Sequence, residues 1–196
     1  MSQNNPTVKL HSKELLSDNW GKLYKVNYTY ILKDGSEQNQ TREVYDRGNG
    51  AVILLYNKEK QTVILTRQLR IPTWFNGNTD GLMIEACAGM LDDNEPEECI
   101  RRETEEETGY TLTDVKKVME VYMSPGSVTE ILYFFTAAYS DAMKTGKGGG
   151  AANEQENIEV LETPFTKAME MITTGEIKDA KTIMLLQHAK INNLLG

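Results

Sequence analysis

Between positions 85 and 110 the chain reads EACAGMLDDNEPEECIRRETEEETGY, and this acidic stretch constrains the fold more than any other. Pro96 suits the first turn of a helix and Gly109 suits a left-handed stop, so the pattern predicts a helix whose last turns are crowded with carboxylates. Asp93 or Asn94 is expected to cap its start, and Glu95 stands where negative charge complements the helix dipole. At roughly 100° per residue, Glu103, Glu106 and Glu107 share one face. Like charges at these spacings repel by roughly a few tenths of a kcal/mol per pair, so something should compensate them. A divalent cation such as Mg²⁺, which prefers hard oxygen ligands and also grips phosphates, is the natural candidate; a solvated acidic helix end is the plain alternative.

The flanking residues carry a further pattern. The segment resembles the Nudix box, G-x5-E-x7-R-E-U-x-E-E-x-G-U with U apolar: Arg102, Glu103, Glu106, Glu107 and Gly109 fill its second half, Tyr110 takes the final U, and Thr104 stands where an aliphatic residue is usual. Gly89 and Glu95 keep the first spacing, but only six residues separate Glu95 from Arg102. With that shortened form, YDRGNGA, NGN, MSPG, a GGG run and TGEIKDAKT resemble the NudK-type GDP-mannose pyrophosphatases, within the ADP-ribose pyrophosphatase-like branch of Nudix hydrolases. The resemblance runs from about residue 16 to about residue 186.

That resemblance implies an α+β fold, a Nudix α/β/α sandwich (residues 47–196) preceded by an N-terminal antiparallel β unit (residues 1–46) that serves in a homodimer and is often exchanged between subunits. It implies Mg²⁺-dependent hydrolysis of a nucleotide-sugar diphosphate bond, GDP-mannose giving GMP and mannose 1-phosphate. ADP-ribose or another nucleoside diphosphate sugar is the alternative substrate, and a catalytically silent nucleotide-sugar-binding regulator is the alternative of a different class. The implied metal ligands are the carbonyl of Ala88 with Glu103, Glu106, Glu107 and Glu156, while Arg102 orients the helix carboxylates. Glu156 also helps activate water, with Glu154 as the alternative loop carboxylate. The implied substrate contacts are Trp20, Arg42, Glu43, Arg70, Ala88, Gly89, Met90, Glu130, Gln155 and Lys181. If subunits exchange their N-terminal units, Trp20, Arg42 and Glu43 serve the neighbour's site.

Elsewhere the patterns are simpler. Residues 23–32 alternate, with Tyr24, Val26, Tyr28, Tyr30 and Leu32 on one side, and Asp34-Gly35 then signals a hairpin returning through residues 41–45. The runs AVILLY (51–56) and TVILT (62–66) read as paired core strands, and residues 71–78 as a loop in a pocket wall or a dimer contact. Residues 82–87 form a strand leading into Gly89; 115–123 and 131–139 form two more, joined by a loop with Pro125 and Gly126. The glycine-rich segment 141–157 suits a lid or mobile catalytic loop. Helical spacing follows over 164–174, stopped by Gly175, and a final helix capped by Asp179 extends to about residue 195.

Composition narrows the partners. At 196 residues there is room for one sizeable core or a domain with a small extra lobe. A net charge of −8 opposes a nucleic-acid backbone or anionic membrane surface, and no apolar run is long enough to span a bilayer. Cys87 and Cys99 read as buried thiols of a cytoplasmic protein rather than a zinc site or a disulfide scaffold.

Overall fold

Alternation of apolar and polar side chains lays the first strands side by side. The computed structural model describes residues 7–150 and 156–196. It divides into two units, Met1–Asn49 with Tyr122–Ile131, and Gly50–Val121 with Leu132–Gly196. In the first, β1 (Val8–Asp18), β2 (Lys22–Ile31) and β3 (Glu37–Asp46) form an antiparallel sheet in that order. The expected hairpin is present: the Gly35 N–H donates to the Leu32 carbonyl at 3.0 Å, and the Asp34 carboxylate accepts the Ser36 N–H at 3.0 Å.

β1 is an addition that the pattern did not announce. Its residues are exposed apart from half-buried Ser17, and two register irregularities interrupt its pairing, so no period-2 signal develops. On β2 the buried residue is Thr29 rather than a tyrosine, because its hydroxyl is bonded to both His11 and Asn39. The loop after residue 122 is fastened to β3, where Tyr45 donates its N–H to Ser127 and accepts that of Thr129.

The second unit is built on β4 (Gly50–Asn57) and β5 (Thr62–Leu69), which are antiparallel as the two apolar runs require. Next come α1 (Ile71–Phe75), β6 (Leu82–Glu85), β7 (Cys87–Met90), α2 (Pro96–Thr108), β8 (Lys116–Tyr122), β9 (Ile131–Ala138), β10 (Glu159–Pro164), α3 (Phe165–Thr174) and α4 (Ala180–Ile191). The sheet order is β10-β5-β4-β9-β8, with β6 on β5 and β7 on β4. β4 runs parallel to β9, and Ala51, Val52, Ile53 and Leu54 have no exposed surface. A strand covered on both faces explains an unbroken apolar run. Ala51, Ile53 and Leu55 pack with Ile100 of α2, while alternation sends Val52 and Leu54 to the face that carries α4. Helices on both faces make the expected α/β/α sandwich.

Three local expectations need correction. Residues 71–75 form a short helix rather than loop, with Pro72 near its start, where a missing N–H costs nothing. The strand expected over 82–87 is two strands, since β6 pairs with β5 and β7 with β4. α4 stops at Ile191, where the Asn192 N–H returns to the His188 and Lys190 carbonyls, short of residue 195.

Candidate active site

α2 begins at Pro96 and ends on Gly109, whose φ of 78° is the left-handed stop its sequence requires. The cap is different from expectation. Glu95 is the N-cap and makes no side-chain cap bond, while the Asn94 amide donates to the Leu91 carbonyl instead. Thr104, in place of an aliphatic residue, is fully buried because its hydroxyl donates to the Ile100 carbonyl at 2.6 Å. A hydroxyl satisfied by the preceding turn leaves the methyl group to pack.

The three glutamates of one helical face fall into different surroundings. Glu106 is 39% exposed and ion-paired with Arg102 at 3.2 Å; Glu103 is 16% exposed and meets the same arginine at 2.8 Å. Arg102 thus pairs with both carboxylates. Glu107 is buried. Its Oε2 accepts the Ala88 N–H at 3.4 Å, and the Cys87 thiol also bonds to it. Burial above all, then the Glu103 and Glu156 charges, push the Glu107 carboxyl up to about 7 against the opposing pull of Cys87 and Arg70. Burial, followed by the Glu107 charge, keeps Cys87 protonated and able to donate.

Gly89 lets these elements meet. A Cβ there would lie 2.2 Å from the Glu103 Cδ, so any side chain at this position would have to push that carboxylate aside. Ala88 and Met90 flank it on β7, and the Met90 carbonyl accepts the Cys99 thiol at 3.1 Å. At the end of α2, the Gly149 and Gly150 N–H groups donate to the Glu107 and Glu106 carbonyls at 2.9 and 3.1 Å. The glycine segment through residue 150 therefore satisfies the helix terminus, and residues 151–155 of the expected lid lie outside the described residues. Glu156 returns beside Gly150, at which a Cβ would lie 2.5 Å from its Oε2. Gln155 and Glu154 lie outside the described residues.

Across the same unit, Arg70 and Lys181 come together although 111 positions of sequence separate them. Both are held by Glu85: Arg70 Nε donates to Oε2 at 2.7 Å and Lys181 Nζ to Oε1 at 2.5 Å. Glu85 was not among the expected site residues. It was visible as the one charge in the apolar run LMIEAC, a position that demands a partner when buried.

The first unit holds the other four expected residues. Trp20 is 70% exposed, with the Arg47 guanidinium 5.6 Å from its ring centre. Glu130 is buried and paired with Arg47, whose Nε donates to it at 2.9 Å, so this carboxylate already has a partner. Arg42 and Glu43 line a groove of about 620 Å³ with Val26, Tyr122, Pro125 and Thr129.

A hard-oxygen donor set is present, but among the described residues no three histidine, cysteine, aspartate or glutamate side chains are gathered into a ready metal cage. Arg102 draws two of the carboxylates to itself, which is the physical reason for the open arrangement. The chemistry of the donors still fits Mg²⁺: a buried carboxylate destabilised by two others gains most from a small, hard cation.

Comparison with known proteins finds two matched regions. Residues 7–45 match the GDP-mannose pyrophosphatase NudK N-terminal domain and residues 46–186 match the NUDIX domain. Curated proteins named GDP-mannose pyrophosphatase from Escherichia coli O1:K1 / APEC and Shigella dysenteriae serotype 1 (strain Sd197) are each 53% identical over 188 residues, covering 96% of this chain and 97% of theirs. One from Enterobacter sp. (strain 638) is 53% identical over 189 residues, covering 96% of this chain and 98% of its own. Identity of that extent, reaching through the acidic helix and both units, places this chain in the Nudix family.

Proposed function

We propose that the chain is a Mg²⁺-dependent nucleotide-sugar pyrophosphatase that splits GDP-mannose into GMP and mannose 1-phosphate. The observation that carries the reading is the carboxylate face of α2, where Glu103 and Glu106 are held by Arg102 and Glu107 is buried, in a unit that also supplies Arg70 and Lys181. Three curated relatives with the GDP-mannose pyrophosphatase name support this choice of sugar nucleotide over ADP-ribose.

Glu103, Glu106, Glu107, Glu156 and the Ala88 carbonyl would hold the metal, while Arg102, ion-paired with Glu103 and Glu106, would keep both oriented. Mg²⁺ bound there supplies Lewis-acid charge against the diphosphate oxygens and lowers the pKa of a nearby water. Arg70 and Lys181 bind the diphosphate and offset charge that develops on its oxygens. Glu156 accepts the proton of the attacking water. A P–O bond forms to the water oxygen, the bridging P–O bond breaks, and the bridging oxygen leaves with the other phosphate. Gly89 and Met90 bound the substrate beside Ala88, and Gln155 contacts it from the loop. Within the N-terminal unit, Trp20 offers an aromatic face to a base, and Arg42 and Glu43 offer charged groups to nucleotide or sugar atoms.

The active form in this reading is a cytoplasmic homodimer. Exposed Val8, Leu10, Leu15 and Leu16 on β1 support a partner for the N-terminal unit, since apolar side chains left in water favour association. Light scattering on the purified protein should give twice the monomer mass; a monomer at working concentration would reject this part. A panel of nucleoside diphosphate sugars with Mg²⁺, resolved by chromatography, tests the reaction. GDP-mannose should give GMP and mannose 1-phosphate fastest, whereas a preference for ADP-ribose would overturn the assignment.

A further inference from the structure

Glu85 has no part in the chemistry above, yet it is the group on which both cations depend. Its side chain is 5% exposed at the end of β6 and spans Arg70, which follows β5, and Lys181, which opens α4. A buried carboxylate is costly unless paired, and here each oxygen has its own cation. Arg70 is gripped at Nε, the inner nitrogen of its fork, and remains 40% exposed. Lys181 is also bonded to Asp179 at 2.8 Å.

The anchor is itself tied into the fold. Asp179 caps α4 by accepting the Thr182 N–H at 2.9 Å, and the Thr182 hydroxyl accepts the Ala86 N–H at 2.7 Å. The start of α4 and the end of β6 are thereby locked together with Glu85 between the two cations. Long cationic side chains lose rotamer freedom when they bind an anion, and a carboxylate that orders them beforehand lowers that cost.

We infer that Glu85 is a positioning residue: it fixes the spacing of Arg70 and Lys181 so that the pair meets the oxygens of one diphosphate. The inference rests on the pyrophosphatase reading for its substrate, but it concerns a residue that acts through two others. Arg70 is also among the charges felt by Glu107, which sets the pair beside the acidic helix.

The test uses full-length Glu85→Gln, which keeps the shape and removes the charge, and Glu85→Asp, which keeps the charge and withdraws it by one methylene. With GDP-mannose and Mg²⁺, Glu85→Gln should raise KM about tenfold and change kcat about threefold or less, as expected when one charge-assisted contact is lost from binding. Glu85→Asp should fold as the wild type does and raise KM less than Glu85→Gln. In an Arg70→Ala/Lys181→Ala background, Glu85→Gln should leave KM within about twofold, because the groups it orders are gone. A merely structural Glu85 would lower the melting temperature and the active fraction with KM unchanged, and that outcome overturns the inference, as does an equal KM rise in both backgrounds.

Calorimetric binding of inorganic pyrophosphate separates this inference from the reading beneath it. Wild-type protein should bind it about tenfold more tightly than Glu85→Gln, with Glu85→Asp in between, even if every sugar nucleotide is left intact. Equal binding by wild type and both variants, or no binding by any, overturns the positioning role. Turnover by wild type with indifferent Glu85 variants would sink this inference alone.

Discussion

Two carboxylates buried in the same unit, Glu85 and Glu107, have opposite surroundings. Glu85 lies between Arg70 and Lys181 and is neutralised by the chain itself. Glu107 lies among carboxylates, with a thiol and a backbone N–H as hydrogen-bond donors. Desolvation costs both, but only the first is repaid by ion pairs within the protein. The difference separates a finished anchor from a position whose charge is best balanced by a cation from outside.

The sharpest way to break that contrast is Glu107→Gln. Turnover should fall about a hundredfold or more through lost metal charge, with circular dichroism and gel filtration unchanged. Wild-type activity in that folded variant would remove Glu107 from the site.

The second prediction exploits pH in metal-free protein. The folded Glu107 carboxyl titrates at about 7, above its ordinary value of 4.5, so the folded state binds the extra proton between those values. Its contribution is full below about pH 4.5 and is lost as pH rises through about 7, on the order of 3 kcal/mol from the size of the shift. Urea unfolding at pH 5 and pH 8 in chelator should show that loss, and Glu107→Gln should flatten it. Added Mg²⁺ should restore stability at pH 8.

A third test moves the neighbour rather than the charge. Gly89→Ala drives a methyl into Glu103, which either strains β7 by about 1–3 kcal/mol or displaces that carboxylate. Lower melting temperature or weaker Mg²⁺ dependence would register the clash. No change in either would mean that β7 can retreat.

The smallest effect calibrates the comparison with a solvent-facing carboxylate. At Glu162 burial works upward, but bonds from Lys60, Tyr139 and Thr62 together bring the carboxyl below its ordinary value. Its contribution is therefore present above about pH 4.5 and disappears as pH falls through the lower folded value. Glu162→Gln should shift the melting temperature by less than about 2 °C at pH 7, because solvent screens such pairs, and by progressively less as pH falls through the lower folded value.

Much of the second unit was legible because its signals are local. AVILLY, TVILT, the helix from Pro96 to Gly109 and the Asp179 cap each follow from neighbouring residues alone. β1 escaped because an exposed strand with broken register has no apolar period, and the split of β6 from β7 because the two strands choose different partners. The site divided along the same line. Glu103, Glu106 and Glu107 share a helix face and could be read from their spacing, whereas Glu85 gained significance through partners 15 positions before it and 96 after it.

Sequence by itself determined that this chain concentrates carboxylates at a helix end, because a period of roughly 3.6 residues is a property of the backbone. Tertiary structure decided which of them is buried, which is held by Arg102, and which cations stand near by. Those outcomes depend on desolvation and on distances between elements remote in the chain, and neither is encoded in local spacing.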